Sequence, residues 1–164
     1  MATLYLLRHA KSSWADESMG DFDRPLADRG REDCAVIGAY IEEKEIDFDL
    51  VLVSTAVRTR ETIALVKDRA QFGVEVRFDD RIYEATTSQL LEVISEVDDD
   101  RESVLLVGHN PGIEELLALL TGEHPDVSTA TFAKIKINAP KWSANLGNNG
   151  TLDWIVRPKE LQES

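Results

Sequence analysis

Cysteine is nearly absent: Cys34 stands alone, so no internal disulfide can form, and a reducing compartment suits the chain. Long apolar runs are missing too. The N-terminal run stops at Leu7 against Arg8, too short for a signal-peptide core or a membrane span, and the chain reads as cytoplasmic. Positive charge is scarce. Eighteen Lys and Arg stand against 31 Asp and Glu, a net charge of −13, which argues against general nucleic-acid binding and against attachment to anionic lipid. Internal repeats, linkers and low-complexity tracts are lacking, which leaves one domain of 164 residues. A domain of that size buries roughly 70% of the surface its unfolded form exposes, enough for a core without metals or disulfides. With 43% hydrophobic and 30% charged residues, the composition is that of an ordinary soluble globular protein.

What is present is an alternation. TLYLL (3–7), LVLV (50–53), VEVRF (74–78) and SVLLV (103–107) are short runs suited to buried strands. Between them lie helical patterns: Cys34, Ile37 and Ile41 within 29–44, a stretch over 56–69, Leu90, Ile94 and Val97, and Ile113, Leu116, Leu117 and Leu120 after the fourth strand. This order predicts an α/β fold with a mostly parallel central sheet and helices on both faces. TFAKIKI (131–137) and TLDWIV (151–156) flank a loop rich in Asn, Gly and Pro, which predicts a C-terminal antiparallel hairpin.

In such a sheet, ligands bind in the crevice outside the carboxyl ends of the strands. The first strand ends in Arg8-His9, the second runs through Ser54 into TAVRTRET with Arg58 early in its helix, and the fourth ends in Gly108-His109-Asn110-Pro111. If these strands are neighbours, Arg8, His9, Arg58 and His109 meet in one pocket whose donors suit a dianionic phosphate, with helix N-termini adding partial positive charge. Each residue alone has a plainer reading. Arg8 would be a surface arginine closing a strand, His109 a hydrogen-bonded turn histidine, Arg58 a solvated helix residue and Ser54 a helix cap. As a set they fit those readings poorly, except Ser54, for which the structural role is kept. His124, beside Pro125 in a polar loop, reads as inert, Asp98 to Asp100 as a solvated helix end, and Trp14, Trp142 and Trp154 as packing residues.

Four segments carry more than their composition: LYLLRHAKSSW (4–14), DFDRPLADRG (21–30), LVSTAVRTRETI (52–63) and LLVGHNPG (105–112). In this order they resemble the histidine phosphatase superfamily, the phosphoglycerate mutase-like fold, and within it the small SixA-like phosphohistidine phosphatases. The resemblance spans nearly the whole chain. It implies a three-layer α/β/α sandwich in which His9 is the nucleophile, Arg8 and Arg58 are phosphate clamps, and His109 is a second histidine that donates to the phosphoryl oxygens. It also makes Arg24 a further phosphate-binding arginine, where the residues alone would pair it with Asp21 or Asp23. Glu84, in RIYEATT, falls where larger members place a general acid; read without the family it is an exposed loop carboxylate. Of two departures from the wider family, the first matters little in the small SixA-like members and the second argues against a mutase. Ala10 stands where many members have Gly, and Ala15 where mutases carry Asn, and the chain has no room for the long insertions that mutases place over the pocket.

The chemistry can be built from the residues. A neutral imidazole attacks phosphorus in line, forming a phosphohistidine that water then hydrolyses. His9 must be unprotonated, a state favoured by repulsion from Arg8, Arg58 and His109 and by a backbone carbonyl accepting from the other ring nitrogen. The same cations stabilise charge on the equatorial oxygens, so the scheme requires no metal and no cofactor. Protein phosphohistidine is the expected substrate, since its imidazole is protonated on its own ring and leaves neutral, which makes Glu84 dispensable. A small phosphate ester is the alternative, because a departing alkoxide needs a proton. A non-catalytic phosphoryl-binding module is a third reading, disfavoured because binding needs no nucleophile. The segment ADESMGDFD reads as an acidic loop at the rim of an open pocket, which favours a phosphorylated protein as partner, and the chain is expected to be a monomer.

Overall fold

Along the first apolar run, Leu4 and Leu6 are buried in one core while Tyr5 and Leu7 are buried in another. Successive side chains of a strand point to opposite faces, so a run buried on both must lie inside a sheet that is covered on both sides. The computed structural model, which describes residues 2–162, has this arrangement. Strands β1 (Ala2–Arg8), β2 (Leu50–Val53), β3 (Val76–Phe78), β4 (Ser103–Gly108), β5 (Phe132–Ile137) and β6 (Gly150–Val156) form one sheet in the order β3-β2-β4-β1-β5-β6. The first four in that order are mutually parallel, and β5 runs antiparallel to both β1 and β6.

Helices α1 (Asp28–Glu43) and α2 (Val57–Ala70) cover one face. They set Cys34, Ile37, Ile41, Ile63 and Val66 against Tyr5, Leu7, Val51, Val53, Leu105, Val107 and Phe132. Helices α3 (Thr87–Ser95) and α4 (Gly112–Thr121) cover the other, where Leu90, Val93, Ile94, Ile113, Leu116, Leu117 and Leu120 meet Leu4, Leu6, Leu52, Val104 and Leu106. Each such side chain contributes about 1.5–3 kcal/mol on burial. A short α5 (Pro158–Gln162) follows β6 and packs beside α1. The three-layer α/β/α architecture and the closing hairpin agree with the sequence expectation. β3 departs from it. It begins at Val76 rather than residue 74, and Arg77 and Phe78 are exposed, because the strand lies at the sheet edge and pairs only with β2. Among the described residues no helix is long and apolar enough to cross a membrane.

The register fixes what the strands present at their carboxyl ends. Arg8 lies opposite Gly108 across β1 and β4, and Val53 opposite Val107 across β2 and β4. His9, His109 and Ser54 therefore leave three adjacent strands side by side; His9 N–H donates to the Gly108 carbonyl (3.0 Å) and Ser54 N–H to that of Val107 (3.1 Å). The segment after β1 is then held against α1. Ser12 and Leu26 form an antiparallel bridge, Ala27 N–H donates to the Lys11 carbonyl (2.9 Å), and a Cβ at Gly30 would lie 2.2 Å from that same oxygen. Only glycine allows this approach.

Candidate active site

His9 follows β1 directly and is 6% exposed. Its Nδ1 lies 2.7 Å from the Ala10 carbonyl oxygen, which can only accept, so this nitrogen carries the proton and Nε2 keeps its lone pair. Ala10 N–H is tied in turn to Thr62 Oγ1 (3.0 Å), whose hydroxyl donates to the Arg58 carbonyl (2.7 Å), linking the nucleophile segment to α2. Burial pushes the His9 pKa down to about 4; the bond to Ala10 opposes that shift, and the charges of Arg58, Arg8 and Arg24 reinforce it. The rings of His9 and His109 lie 5.2 Å apart. His109 is held down to about 3, by burial first and then by His9 and Arg58.

Arg58, in the first turn of α2, and Arg24 are both buried, and they share Asp21. Arg58 donates to the Asp21 carbonyl (2.7 Å) and to Oδ2 (3.1 Å), while Arg24 donates to Oδ1 (3.2 Å) and to Ser12 Oγ (2.7 Å). Arg8 donates to the Val127 carbonyl (3.0 Å). The Nε of Arg8, Arg24 and Arg58 and the Nδ1 of His109 are buried with no hydrogen-bond partner among the described residues. Unpaired buried donors of this kind cost about 1–3 kcal/mol each. Beside Arg58 and His109 the surface opens into a cleft. The cleft has a volume of about 460 Å³, and Asp21, Arg58, Glu84 and His109 are among the residues that line it.

Arg8, His9, Arg24, Arg58 and His109, all singled out from sequence, are thus gathered at one end of the sheet. Glu84 lies on the cleft wall, exposed and in a left-handed conformation (φ 50°) that a residue with a Cβ adopts only at a cost. Ser54 needs correction. The N-cap of α2 is Ala56, and Ser54 is fully buried with its Oγ 2.8 Å from His109 Nε2. Trp14 is also not a packing residue: it is 73% exposed and stacks over the Arg24 guanidinium at 3.5 Å, whereas Trp142 is buried and Trp154 packs on Tyr40 and Phe132. Asp21, in the 3-10 turn Asp21–Asp23, is a ligand of two arginines rather than a free rim charge. Tyr83 was not foreseen; its hydroxyl donates to Asp21 Oδ2 at 2.6 Å. Cys34 is buried, and burial pushes its thiol up to about 12, so it is inert.

The family model of the histidine phosphatase superfamily (branch 1) matches residues 4–90, a stretch that contains Arg8, His9, Arg24, Arg58 and Glu84. The chain belongs to that superfamily. His109 lies beyond the matched stretch and joins the site through the β1–β4 register. An uncharacterized chloroplastic protein of Arabidopsis thaliana is 31% identical over 160 residues, covering 92% of this chain and 73% of that one. A solved structure from Nakamurella multipartita, described as a candidate phosphohistidine phosphatase SixA, superposes with a TM-score of 0.84 at 27% identity and covers 96% of both chains. The phosphohistidine phosphatase SixA of Escherichia coli is 22% identical over 163 residues, covering 97% of this histidine phosphatase and 96% of its own length.

Proposed function

We propose that this histidine phosphatase is a cytoplasmic phosphohydrolase that acts through a covalent phosphohistidine on His9 and takes its phosphate from protein phosphohistidine. The observation that carries the reading is the state of His9. With Nδ1 engaged by Ala10 and a pKa of about 4, the ring is neutral at physiological pH and Nε2 is a free nucleophile among three arginines.

In the first step the Nε2 lone pair forms the N–P bond in line, while the bond from phosphorus to the leaving group breaks and its electron pair departs with that group. In the second, a water oxygen attacks the same phosphorus, the N–P pair returns to Nε2, and the water gives up one proton to the medium. Arg8, Arg24 and Arg58 hold the non-bridging oxygens through both steps. Donors of this type are worth about 3–4 kcal/mol each. Ser54 accepts from Ala56 N–H (3.3 Å), and its own proton is free to point at His109 Nε2. This tautomer leaves the His109 Nδ1 proton, which has no partner among the described residues, for a phosphoryl oxygen. The charge is carried by side chains, so no step is routed through a metal.

A protein substrate is supported by the names of the similar proteins from Nakamurella and Escherichia coli. It is supported also by exposed aromatic residues beside the site, where Trp14 covers Arg24 and Phe22 meets Tyr83 edge to face at 5.1 Å. The place of Glu84 on the cleft wall favours a second reading, a phosphatase of small phosphate esters, since a general acid would speed alkoxide departure by about 10² to 10⁴. The test is a panel of phosphohistidine protein, phosphoserine peptide and sugar phosphates, run with wild type and Glu84→Gln. Fastest turnover of phosphohistidine protein, unchanged by Glu84→Gln, is the expected result. A preferred sugar phosphate whose turnover drops about a hundredfold in Glu84→Gln would establish the ester reading instead.

A further inference from the structure

Arg8, Arg24 and Arg58 are paired in a common pattern. Arg24 spends Nη1 on Ser12 and Nη2 on Asp21, Arg58 spends both terminal nitrogens on Asp21, and Arg8 spends Nη1 on Val127. In all three the Nε is buried and has no partner among the described residues. A guanidinium presents its five donors in a rigid planar fork, so fixing the terminal nitrogens fixes the direction of the Nε edge as well. The protein thus fixes the orientation of each guanidinium group by its terminal nitrogens.

Asp21 is the shared element of the pattern. Through two carboxylate oxygens and its backbone carbonyl it serves both Arg24 and Arg58, and it receives the Tyr83 hydroxyl. That hydroxyl, with the two arginines, holds its carboxyl down to about 2, so Asp21 is an anion at neutral pH. Between two buried cations it offsets their repulsion and sets their separation. We propose that Asp21 is the positioning residue of the phosphoryl subsite, gripping Arg24 and Arg58 by their terminal nitrogens so that the two guanidinium groups keep the separation and orientation that a tetrahedral oxyanion needs. The inference rests on the phosphohydrolase reading and adds a residue that does not touch the reacting atoms. A carboxylate seated on two arginines could instead be occupying the place of the substrate, and the two roles differ in sign. A competitor, once removed, lets an oxyanion bind more tightly; a positioning residue, once removed, lets it bind less tightly.

Tungstate is a suitable probe because its binding needs no turnover. Its dissociation constant is measured by calorimetry for wild type, Asp21→Asn and Tyr83→Phe, together with kcat, KM and Tm. Asn keeps the shape of Asp but turns an amide N–H₂ toward one of the guanidinium groups. Asp21→Asn is expected to bind tungstate about tenfold or more weakly, the loss of a charge-assisted hydrogen bond, and to lose more in kcat than in KM. Tyr83→Phe is expected to move the same way by less. Tungstate bound equally or more tightly by Asp21→Asn with an unshifted Tm overturns the inference. If Asp21→Asn does not fold, unchanged binding by Tyr83→Phe overturns it. A wild type that binds tungstate, weakens in both variants and yet forms no phosphohistidine contradicts the proposed reaction while supporting the role of Asp21.

Discussion

His9 is buried among cations, and both facts lower its affinity for a proton. A free histidine would be half protonated near pH 6.5, whereas His9 reaches that point at about pH 4. Because kcat/KM reports the free enzyme and the free substrate, once the second ionisation of the substrate phosphate at about pH 6 is divided out it should stay level from pH 8 to about pH 5 and fall only as pH approaches 4. An acid limb centred near 6.5 would mean that the nucleophile is not shielded in this way. The same shift bears on stability. Well above pH 6.5 both His9 and His109 are neutral, folded or unfolded, and stability is at its full value. As pH falls below 6.5 the unfolded chain takes up protons that folded His9 refuses until about pH 4 and His109 until about pH 3. Stability should therefore decline through that window, by on the order of 3 kcal/mol from His9 alone, which urea denaturation at stepped pH will measure.

The strand ends assemble the site, and the contact between α1 and the segment after β1 keeps it assembled. Gly30→Ala would drive a methyl group into the Lys11 carbonyl, 2.2 Å away, so either α1 or the segment two residues beyond His9 must yield. We expect a loss of about 1–3 kcal/mol in unfolding free energy and a fall in kcat. Gly20→Ala, with nothing within 4 Å of the new Cβ, should change neither, and equal behaviour of the two variants in Tm and kcat would refute the account of this contact. The meeting of Arg8 and His9 with His109 was legible in the sequence because alternating strands and helices imply parallel neighbours, and parallel neighbours share a carboxyl end. Arg58 was legible from its place just after a strand. The pairing of Arg24 with Asp21 was legible from their closeness in sequence, but the bridge from Asp21 to Arg58 and the contact of Ser54 with His109 were not, since those partners lie 37 and 55 residues away and no periodicity links them. Trp14 misled for a related reason: an aromatic residue in a loop carries no pattern to say that it covers an arginine rather than a core.

The whole molecule bears a net charge of −13, yet it gathers Arg8, Arg24 and Arg58 at one end of the sheet, and the segment that leads to Arg24 carries the exposed acids Asp16, Glu17 and Asp23, which are expected to form a rim. Such a rim should slow small polyanions and draw in a phosphorylated protein surface that also bears basic residues. At physiological salt the Debye length is about 8 Å, so only charges near the entry path count. Replacing those three acids by Asn or Gln should raise kcat/KM for sugar phosphates at low salt and lower it for phosphohistidine protein, with both effects fading as salt is added. Unchanged values across the salt series would mean that the rim plays no part in selection. The central claim is the bond between His9 and phosphorus, and a brief reaction with a labelled phosphoryl donor, followed by quenching and peptide mapping, tests it most directly. The account predicts label on His9 that is lost in acid and survives alkali, and a His9→Ala variant with neither label nor turnover. Label that survives acid, or full turnover by His9→Ala, would contradict it.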